Sequence, residues 1–276
     1  MNYGFLGVVL LCGLLFPAAA SAHQPRLVEG TSTTVAQPEV SKAYYGELRG
    51  EPHVFHISSS KPFALYVNIL VPDIVGQKKD VSALIVKKGV TTSPLAALSG
   101  PDFAWKPFFE PFGYDHYFMG PEYRGHVGPG AYEVLVSSNN NDSKYSLAIG
   151  ETEAFDATEG LSALYLIPRI KRNFFNESPL NFILSPFGWG LLVAMYLFAC
   201  ISGFCIRLGM KYFFGRNTSR NLSPRARYWR LGAGVGLLLL AATTSWNPLA
   251  FYVSGYALFE ALFGWSLVQS MGVKSV

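Results

Sequence analysis

The five histidines are the side chains in this sequence best suited to binding a metal ion: His23, His53, His56, His116 and His126. Imidazole nitrogens bind copper, zinc and nickel. His23 follows Ala22, where we expect a secretory signal to be cleaved, so His23 would begin the mature chain. An N-terminal histidine offers its α-amine and its imidazole to one copper ion, and another histidine would complete the site. The sequence therefore predicts, as one alternative, an exported copper-binding protein.

An aromatic-rich stretch is the second candidate for chemistry. Residues 103–123 hold nine aromatic side chains, and Pro107, Pro111 and Pro121 argue against a regular helix there. The stretch is either a long loop that packs over one end of a β domain or a recognition surface, because aromatic side chains anchor interfaces. On the second interpretation the partner-binding side chains are Trp105, Phe108, Phe109, Phe112, Tyr114 and Tyr117.

Glu260 is the single acidic residue after position 178, and it lies in an apolar run. A carboxyl group inside a membrane is costly, so such residues are candidates for ion or proton pathways. The alternative is a structural glutamate that is neutral or paired with Arg230, about one turn nearer the cytoplasm. Gly232 and Gly236 have the spacing that lets two membrane helices approach closely.

Motifs of common enzymes are absent from the sequence. It has no nucleophile elbow, no phosphate-binding loop, no CxxC and no HExxH. Its three cysteines, Cys12, Cys200 and Cys205, leave the stretch between residues 23 and 199 without any, so no disulfide framework supports that part. We therefore expect a protein that is not an enzyme and that has no cofactor, with bound copper as the alternative.

The composition indicates a membrane protein. Hydrophobic residues make up 50% of the 276 residues and charged residues 14%, against about 25% charged in an ordinary soluble domain. That balance excludes intrinsic disorder. An apolar run from Phe5 to Phe16 followed by small residues at Ala20 and Ala22 predicts a signal peptide over residues 1–22.

Three later apolar runs have the length of membrane spans. They cover residues 186–206, 231–246 and 249–268, and at about 1.5 Å per residue they match a hydrocarbon core of about 30 Å. Seven basic side chains lie in residues 207–230, which the positive-inside rule places in the cytoplasm. The β domain is then outside and the C-terminus inside a bacterial inner membrane. Because topology accounts for these basic residues, we expect no nucleic-acid partner.

The part between the signal and the spans is predicted to be all-β. Residues 23–160 contain short runs of alternating apolar and polar side chains separated by Gly, Pro and Asn turns, which favours an antiparallel, jelly-roll-like β-sandwich. Residues 161–185 read as a juxtamembrane connector, either an interfacial segment or a plain linker. The strand candidates are residues 43–48, 53–58, 63–71, 81–86, 132–137 and 144–150.

The last two strand candidates carry a family resemblance. Gly130-Ala-Tyr-Glu-Val-Leu-Val-Ser-Ser, a polar turn and Lys144-Tyr-Ser-Leu-Ala-Ile-Gly resemble the closing hairpin of prepeptidase-C-terminal-type β-sandwiches. The resemblance covers about 20 residues. It implies a non-catalytic accessory domain of an exported protein.

The C-terminal 60 residues resemble the YgaP-like inner-membrane family. The family's opening Asn, its Arg six and nine residues later and its Gly thirteen later correspond to Asn221, Arg227, Arg230 and Gly234, and its closing segment to Leu262-Phe-Gly-Trp-Ser266. Ala226 stands where the family has an acidic residue and Ser266 where it has Cys, so no thiol role carries over. The resemblance implies a bacterial inner-membrane module without an assigned chemistry.

These observations favour one function over two others. We expect a membrane-anchored, exported β-sandwich that binds a partner or serves as an accessory subunit of a membrane complex with other membrane or periplasmic proteins. The alternatives are the copper-binding protein that uses His23 and an ion or proton role through Glu260.

Overall fold

The computed structural model describes residues 23–89, 93–154, 156–216 and 218–272. The chain divides into two compact units after Ser178. We call the described residues up to Ser178 the β unit and those from Pro179 the helical unit. The predicted signal peptide, residues 1–22, lies outside the described residues.

Eleven strands form the β unit within the described part of the chain. All six strand candidates of the sequence analysis are confirmed, and the N-terminal lead and the aromatic stretch add further strands. The strands are β1 (Gln24–Leu27), β2 (Ser32–Val35), β3 (Lys42–Glu47), β4 (His53–Ser59), β5 (Phe63–Pro72), β6 (Ser82–Lys87), β7 (Ala96–Leu98), β8 (Lys106–Glu110), β9 (Asp115–Val127), β10 (Gly130–Ser137) and β11 (Lys144–Ile149).

The strands make two sheets that face each other. The six-stranded sheet has the order β1-β3-β11-β5-β9-β8, and the five-stranded sheet has the order β2-β4-β10-β6-β7. Both sheets are mixed, which corrects the purely antiparallel prediction: β1 pairs with β3 and β2 with β4 in parallel. These two short strands come from the polar lead, whose sequence shows no apolar alternation, so the pattern did not reveal them.

Alternation along the strands builds the core between the sheets. On β5, Phe63, Leu65, Val67 and Ile69 are each at most 4% exposed. Burying one such side chain contributes about 1.5–3 kcal/mol. Tyr145 is also fully buried there, because Gly46 has no side chain to occupy the space of its ring.

A helical layer covers part of the outer face of the six-stranded sheet. Helix α1 (Ala157–Arg169) begins after Asp156, whose side chain accepts a hydrogen bond from the Glu159 N–H, and it continues as a π-helical turn (Ile170–Phe174). Ile170, Phe174 and Phe175 pack with Leu70, Tyr117 and Ala148 of the sheet. The segment predicted as a connector at 161–185 therefore belongs, up to Ser178, to the β unit.

The helical unit consists of a 3₁₀ turn (Pro179–Leu184) and the helices α2 (Pro186–Phe214), α3 (Pro224–Thr244), α4 (Pro248–Phe263) and α5 (Leu267–Gly272). Each of the three long helices has Pro in its first turn, preceded by a capping residue: Ser185, Ser223 or Asn247. A proline loses nothing there, because the first N–H groups of a helix have no partner within it. The capping oxygen then satisfies one of those N–H groups.

Among the described residues, one helix, α2, is long and apolar enough to cross a membrane, and α4 is a shorter apolar helix. The structure therefore does not clearly show the three spans predicted from the sequence. The boundaries of the predicted basic loop also change. Residues 207–214 extend α2, and residues 224–230 are the start of α3, which leaves residues 215–223 as the connection. Arg and Lys are good helix formers, so a basic stretch is not by itself a loop.

Candidate functional site

A cavity lies on the outer face of the six-stranded sheet, where the middle strands carry small side chains. Ala148 on β11 pairs with Ala43 on one neighbouring strand and with Asn68 on the other. Ser146, two residues before Ala148 on β11, lies on the same face. Together they form the floor of a cavity of about 90 Å³, and Ile167 and Ile170 from the helical layer also line it. The volume admits several water molecules or a small organic molecule.

Aromatic side chains wall this cavity. Tyr45 and Tyr117 share a hydrogen bond of 3.1 Å between their hydroxyl oxygens, and burial raises the pKa of both phenols. Both hydroxyls therefore remain protonated near neutral pH. The Tyr66 hydroxyl donates to Glu122 over 3.0 Å. The remaining large side chains of the lining are Leu70, Phe108, Phe112 and Met119.

Two carboxyl groups line the cavity at the β8–β9 turn. Glu110 ends β8 and is the register partner of Asp115, which begins β9. The carboxyl group of Glu110 accepts hydrogen bonds from the N–H groups of Phe112 and Gly113, each at 2.7 Å. Burial nevertheless raises the pKa of Glu110. Gly113 is required here, because a Cβ would lie 2.2 Å from a carboxyl oxygen of Asp115.

Lys171 is fully buried beside Asp115, outside the lining of the cavity. Its Nζ is 2.5 Å from Oδ1 of Asp115 and donates to the Tyr114 carbonyl oxygen over 3.1 Å. Burial raises the pKa of Asp115 to about 7, although the Lys171 ammonium acts in the opposite direction. The carboxylate of Glu177 is 4.0 Å from the same Nζ. The cluster therefore holds one buried cation among three carboxyl groups.

His23 lines the cavity, and the structure brings no second predicted histidine to it. Its Nδ1 is hydrogen-bonded to the Ser41 hydroxyl, and burial lowers its pKa, so the imidazole is neutral. Within the described residues, no three His, Cys, Asp or Glu side chains lie close enough to hold a metal ion. Copper binding through His23 stays a prediction.

The other four histidines are dispersed over the β unit. On β4, His53 is buried and bonded to the Tyr145 hydroxyl at 2.7 Å, whereas His56 contacts Ser32 and Glu133 at the surface. The two side chains lie on opposite faces of the strand, as their spacing predicts. His116 packs against the Phe109 ring, and His126 is exposed.

The aromatic stretch is a β-hairpin rather than an irregular loop. Pro107 lies in β8, an edge strand, where a missing N–H costs little. Pro121 lies at a bulge, where the register against β5 shifts and the Asn68 amide donates to the carbonyl oxygens of Gly120 and Pro121. Prolines are tolerated at both kinds of position, so they do not exclude strands.

The predicted partner-binding aromatics fall into three places. Phe108, Phe112 and Tyr117 line the cavity. Phe109 and Tyr114 are exposed, with ring centroids 5.1 Å apart. Trp105 packs against the sandwich core and donates from Nε1 to the Gly100 carbonyl oxygen over 2.8 Å.

In the helical unit, the residues of the family resemblance meet at one end of the α3–α4 hairpin. Asn221 makes two hydrogen bonds to the backbone of Ser266, and Arg227 donates to the carbonyl oxygens at the end of α4. Arg230 is 2.8 Å from Glu260, the ion pair that the structural alternative for Glu260 expects. These contacts hold α3 and α4 together at that end of the hairpin.

The glycines of α3 act differently from the prediction. A Cβ on Gly232 or Gly236 would meet no atom within 4 Å, whereas one on Gly234 would lie 2.7 Å from Leu258 of α4. The close approach of α3 and α4 therefore uses Gly234. Gly232, Gly234 and Gly236 occur at every second residue, so Gly234 lies on a different side of α3 from the other two. The spacing of Gly232 and Gly236 therefore did not reveal which side of α3 meets α4.

Sequence reasoning missed the charged cluster beneath the cavity. Glu110 and Asp115 are close in sequence, but Lys171 lies 56 residues beyond Asp115 and no motif links them. The signal for the cavity in the sequence was the small size of its floor residues. Ser146 and Ala148 alternate with larger apolar side chains in β11, so one face of this buried strand leaves space above it.

No family model and no curated protein match this chain. It is similar to the solved pre-peptidase C-terminal domain of a collagenase from Bacillus anthracis, with 11% identity over 47% of this chain and 95% of that one and a TM-score of 0.27. A second similar structure is CorA, described as a surface-associated copper-binding protein of Methylomicrobium album BG8. The identity is 8% over 46% of this chain and 100% of that one, with a TM-score of 0.24. A third is a β-glucosidase from Paenibacillus barengoltzii, with 11% identity over 46% of this chain and 13% of that one and a TM-score of 0.22. At these TM-scores the likenesses carry no argument about function.

Proposed function

We propose that this protein is a non-enzymatic binding protein, anchored in a bacterial inner membrane, whose β unit holds a small ligand in the cavity on its outer sheet. The observation that carries the proposal is the cavity itself, with its floor of small side chains and its buried charged cluster. A buried ion pair such as that of Lys171 and Asp115 stabilises a fold less than apolar side chains of the same volume do. Perturbed carboxyl groups in a cleft mark candidate functional sites.

The groups in the cavity are suited to binding rather than to proton transfer. The carboxyl group of Glu110 is held by two backbone N–H groups, and that of Asp115 by Lys171. The raised phenol pKa values of Tyr45 and Tyr117 remove them as bases near neutral pH. Because the protein itself already engages each of these groups, we favour a role in binding over one in proton transfer.

The length of α2 and the exposed apolar side chains of the helical unit support the anchoring part of the proposal. At about 1.5 Å per residue, the 29 residues of α2 extend for about 44 Å, more than the hydrocarbon core of a bilayer. We infer that α3 and α4 are the other two spans, with the basic residues from Arg207 to Arg230 in the cytoplasm. Large apolar side chains are exposed on all three helices, among them Phe198, Leu208, Leu239, Leu240, Leu249 and Val253.

Native mass spectrometry of the full chain, extracted in detergent from its own host, tests the proposal. Ala148 is buried in the cavity floor, so Ala148→Leu fills the cavity, whereas Ala64→Leu makes the same change at an exposed position of β5. We expect wild type and Ala64→Leu to retain one small-molecule adduct and Ala148→Leu to lose it.

The adduct mass distinguishes the alternatives. An adduct of one copper ion would support the copper-binding alternative in place of an organic ligand. Equal adducts in all three proteins, or a bare wild-type mass, would overturn the cavity as the ligand site.

A further inference from the structure

We propose that the ligand of this cavity is a small methylated ammonium cation. The inference rests on the proposed function, because it takes the cavity as the ligand site. Charge and wall chemistry both point to this class of ligand.

The charge of the cavity lining is negative. Glu110 and Asp115 both line the cavity, and among the described residues that line it the one basic side chain is His23, whose pKa burial lowers. Lys171 lies behind Asp115 and is not part of the lining. An anionic ligand would meet two carboxyl groups there, so the lining favours a cation.

Within the described residues, Glu110 makes no ion pair. Its hydrogen-bond partners are the uncharged N–H groups of Phe112 and Gly113, whereas Asp115 has an ammonium group at 2.5 Å. That ammonium group, on Lys171, lowers the pKa of Glu110 less than burial raises it. A cation bound in the cavity would supply the direct counter-charge that Lys171 gives to Asp115.

The walls suit an organic cation better than a metal ion. Five aromatic rings line the cavity, and a cation over the face of such a ring gains about 2 kcal/mol or more when it is desolvated. The described residues hold no cluster of three metal-ligating side chains. Methyl groups on the nitrogen match the apolar rings and need no hydrogen-bond acceptors. The rings belong to Tyr45, Tyr66, Phe108, Phe112 and Tyr117.

Isothermal titration calorimetry of the full chain in detergent tests the class of ligand, with tetramethylammonium chloride as the probe. Sodium chloride and tert-butanol are the controls, because the first lacks the methyl groups and the second lacks the charge. We expect saturable binding of tetramethylammonium and none of either control. Binding of tert-butanol as tight as that of tetramethylammonium, or no binding of tetramethylammonium, would overturn the proposal.

A matched pair of variants locates the binding. We expect Glu110→Gln to weaken tetramethylammonium binding about tenfold, the effect of losing about 1.4 kcal/mol, while Glu51→Gln at the exposed β3–β4 turn leaves it unchanged. Circular dichroism checks that both variants are folded. Ala148→Leu provides a second variant without a charge change, and it should abolish binding. Equal affinity in wild type, Glu110→Gln and Ala148→Leu would contradict the proposal.

The same experiment separates failure of this inference from failure of the proposed function. If Ala148→Leu loses a native adduct but wild type does not bind tetramethylammonium, the cavity is a ligand site for another class of molecule. Glycerophosphocholine as a second probe identifies the source of the cation. Its binding would indicate a lipid headgroup and its exclusion a free methylated amine, and both results uphold an ammonium ligand.

Discussion

At the residue scale, two carboxyl groups define the cavity. Asp115 is paired with a fully buried lysine, whereas the hydrogen-bond donors to Glu110 within the described residues are two backbone N–H groups. Lys171 therefore makes an ion pair with Asp115 and none with Glu110. We propose that a cationic ligand pairs with Glu110.

Removing the ammonium group of the buried pair should cost much of the stability of the β unit. Lys171→Met keeps the length of the side chain but leaves Asp115 buried without its cation, and breaking a buried pair in this way costs about 3–5 kcal/mol. The measurement is urea unfolding of the full chain in detergent, followed by hydrogen exchange of β-unit peptides. Lys78→Met is the control, because the Lys78–Asp142 pair is exposed and its loss should not be measurable. Equal stability of the Lys171→Met variant and wild type would contradict the buried pair.

The raised carboxyl pKa values also predict a pH dependence of stability. In the unfolded chain Asp115 and Glu110 ionise near 3.8 and 4.5, but in the folded protein they keep their protons to higher pH, up to about 7 for Asp115. The folded state then binds more protons than the unfolded state, so the free energy of unfolding contributed by these groups falls as pH rises from about 4 to 7.

Comparison with Glu110→Gln isolates one of these contributions. The titratable groups that interact with Glu110 are Lys171, Asp115, Tyr45 and Tyr117, and His23 also lines the cavity; all of them remain in the variant. His23 acts in the opposite direction, since its lowered pKa costs stability as the pH falls. We expect the variant to lose less stability than wild type between pH 4 and pH 7 in urea titrations. Parallel pH profiles would show that Glu110 is not enclosed.

At the element scale, the β8–β9 hairpin positions both carboxyl groups of the site. The turn between the strands is held by the two N–H groups that donate to Glu110, with Tyr114 in the left-handed region at a φ of 59°. Gly113 sits in this turn with the Asp115 carboxyl group against its Cα, and Lys171 fixes that carboxyl group from behind. The turn and the charged cluster therefore form one structure.

A methyl group at Gly113 should destabilise this hairpin. In Gly113→Ala the new Cβ would lie 2.2 Å from Oδ2 of Asp115, which Lys171 prevents from moving, so we expect a loss of about 1–3 kcal/mol, as for overpacking in a core. Gly128→Ala at the next turn is the matched control, since its Cβ would approach no atom more closely than 3.9 Å. Hydrogen exchange in β8 and β9 measures the effect. Equal protection in the two variants would contradict the geometry of the turn.

The elements themselves were more predictable than the site. Strands such as β5 are readable from sequence because one face is apolar at every second residue. The hairpin was hidden because Pro107 and Pro121 resemble loop signals, although an edge and a bulge accept them. The cavity was hidden because it depends on which strands become neighbours. Ala43 and Ala148 are 105 residues apart in sequence and meet through the order β3-β11.

At the scale of the whole molecule, the chain joins a β unit that contains a cavity to a unit of apolar helices. Composition and charge predicted this division, and α2 is long and apolar enough to cross a bilayer. We infer that the β unit lies outside the cytoplasmic membrane and samples small molecules there, while the helical unit retains it at the membrane. Phe109 and Tyr114 are exposed on the hairpin, and we propose that they contact a partner subunit.

A crystal structure of the full chain, purified from the membranes of its own host without added ligand, would show whether the cavity holds a cation. We expect electron density for one small organic molecule in the cavity, with its cationic group beside Glu110 and against the rings of Tyr45 and Tyr117. A cavity that contains ordered water alone in a well-resolved map, or a metal ion bound to His23, would contradict it.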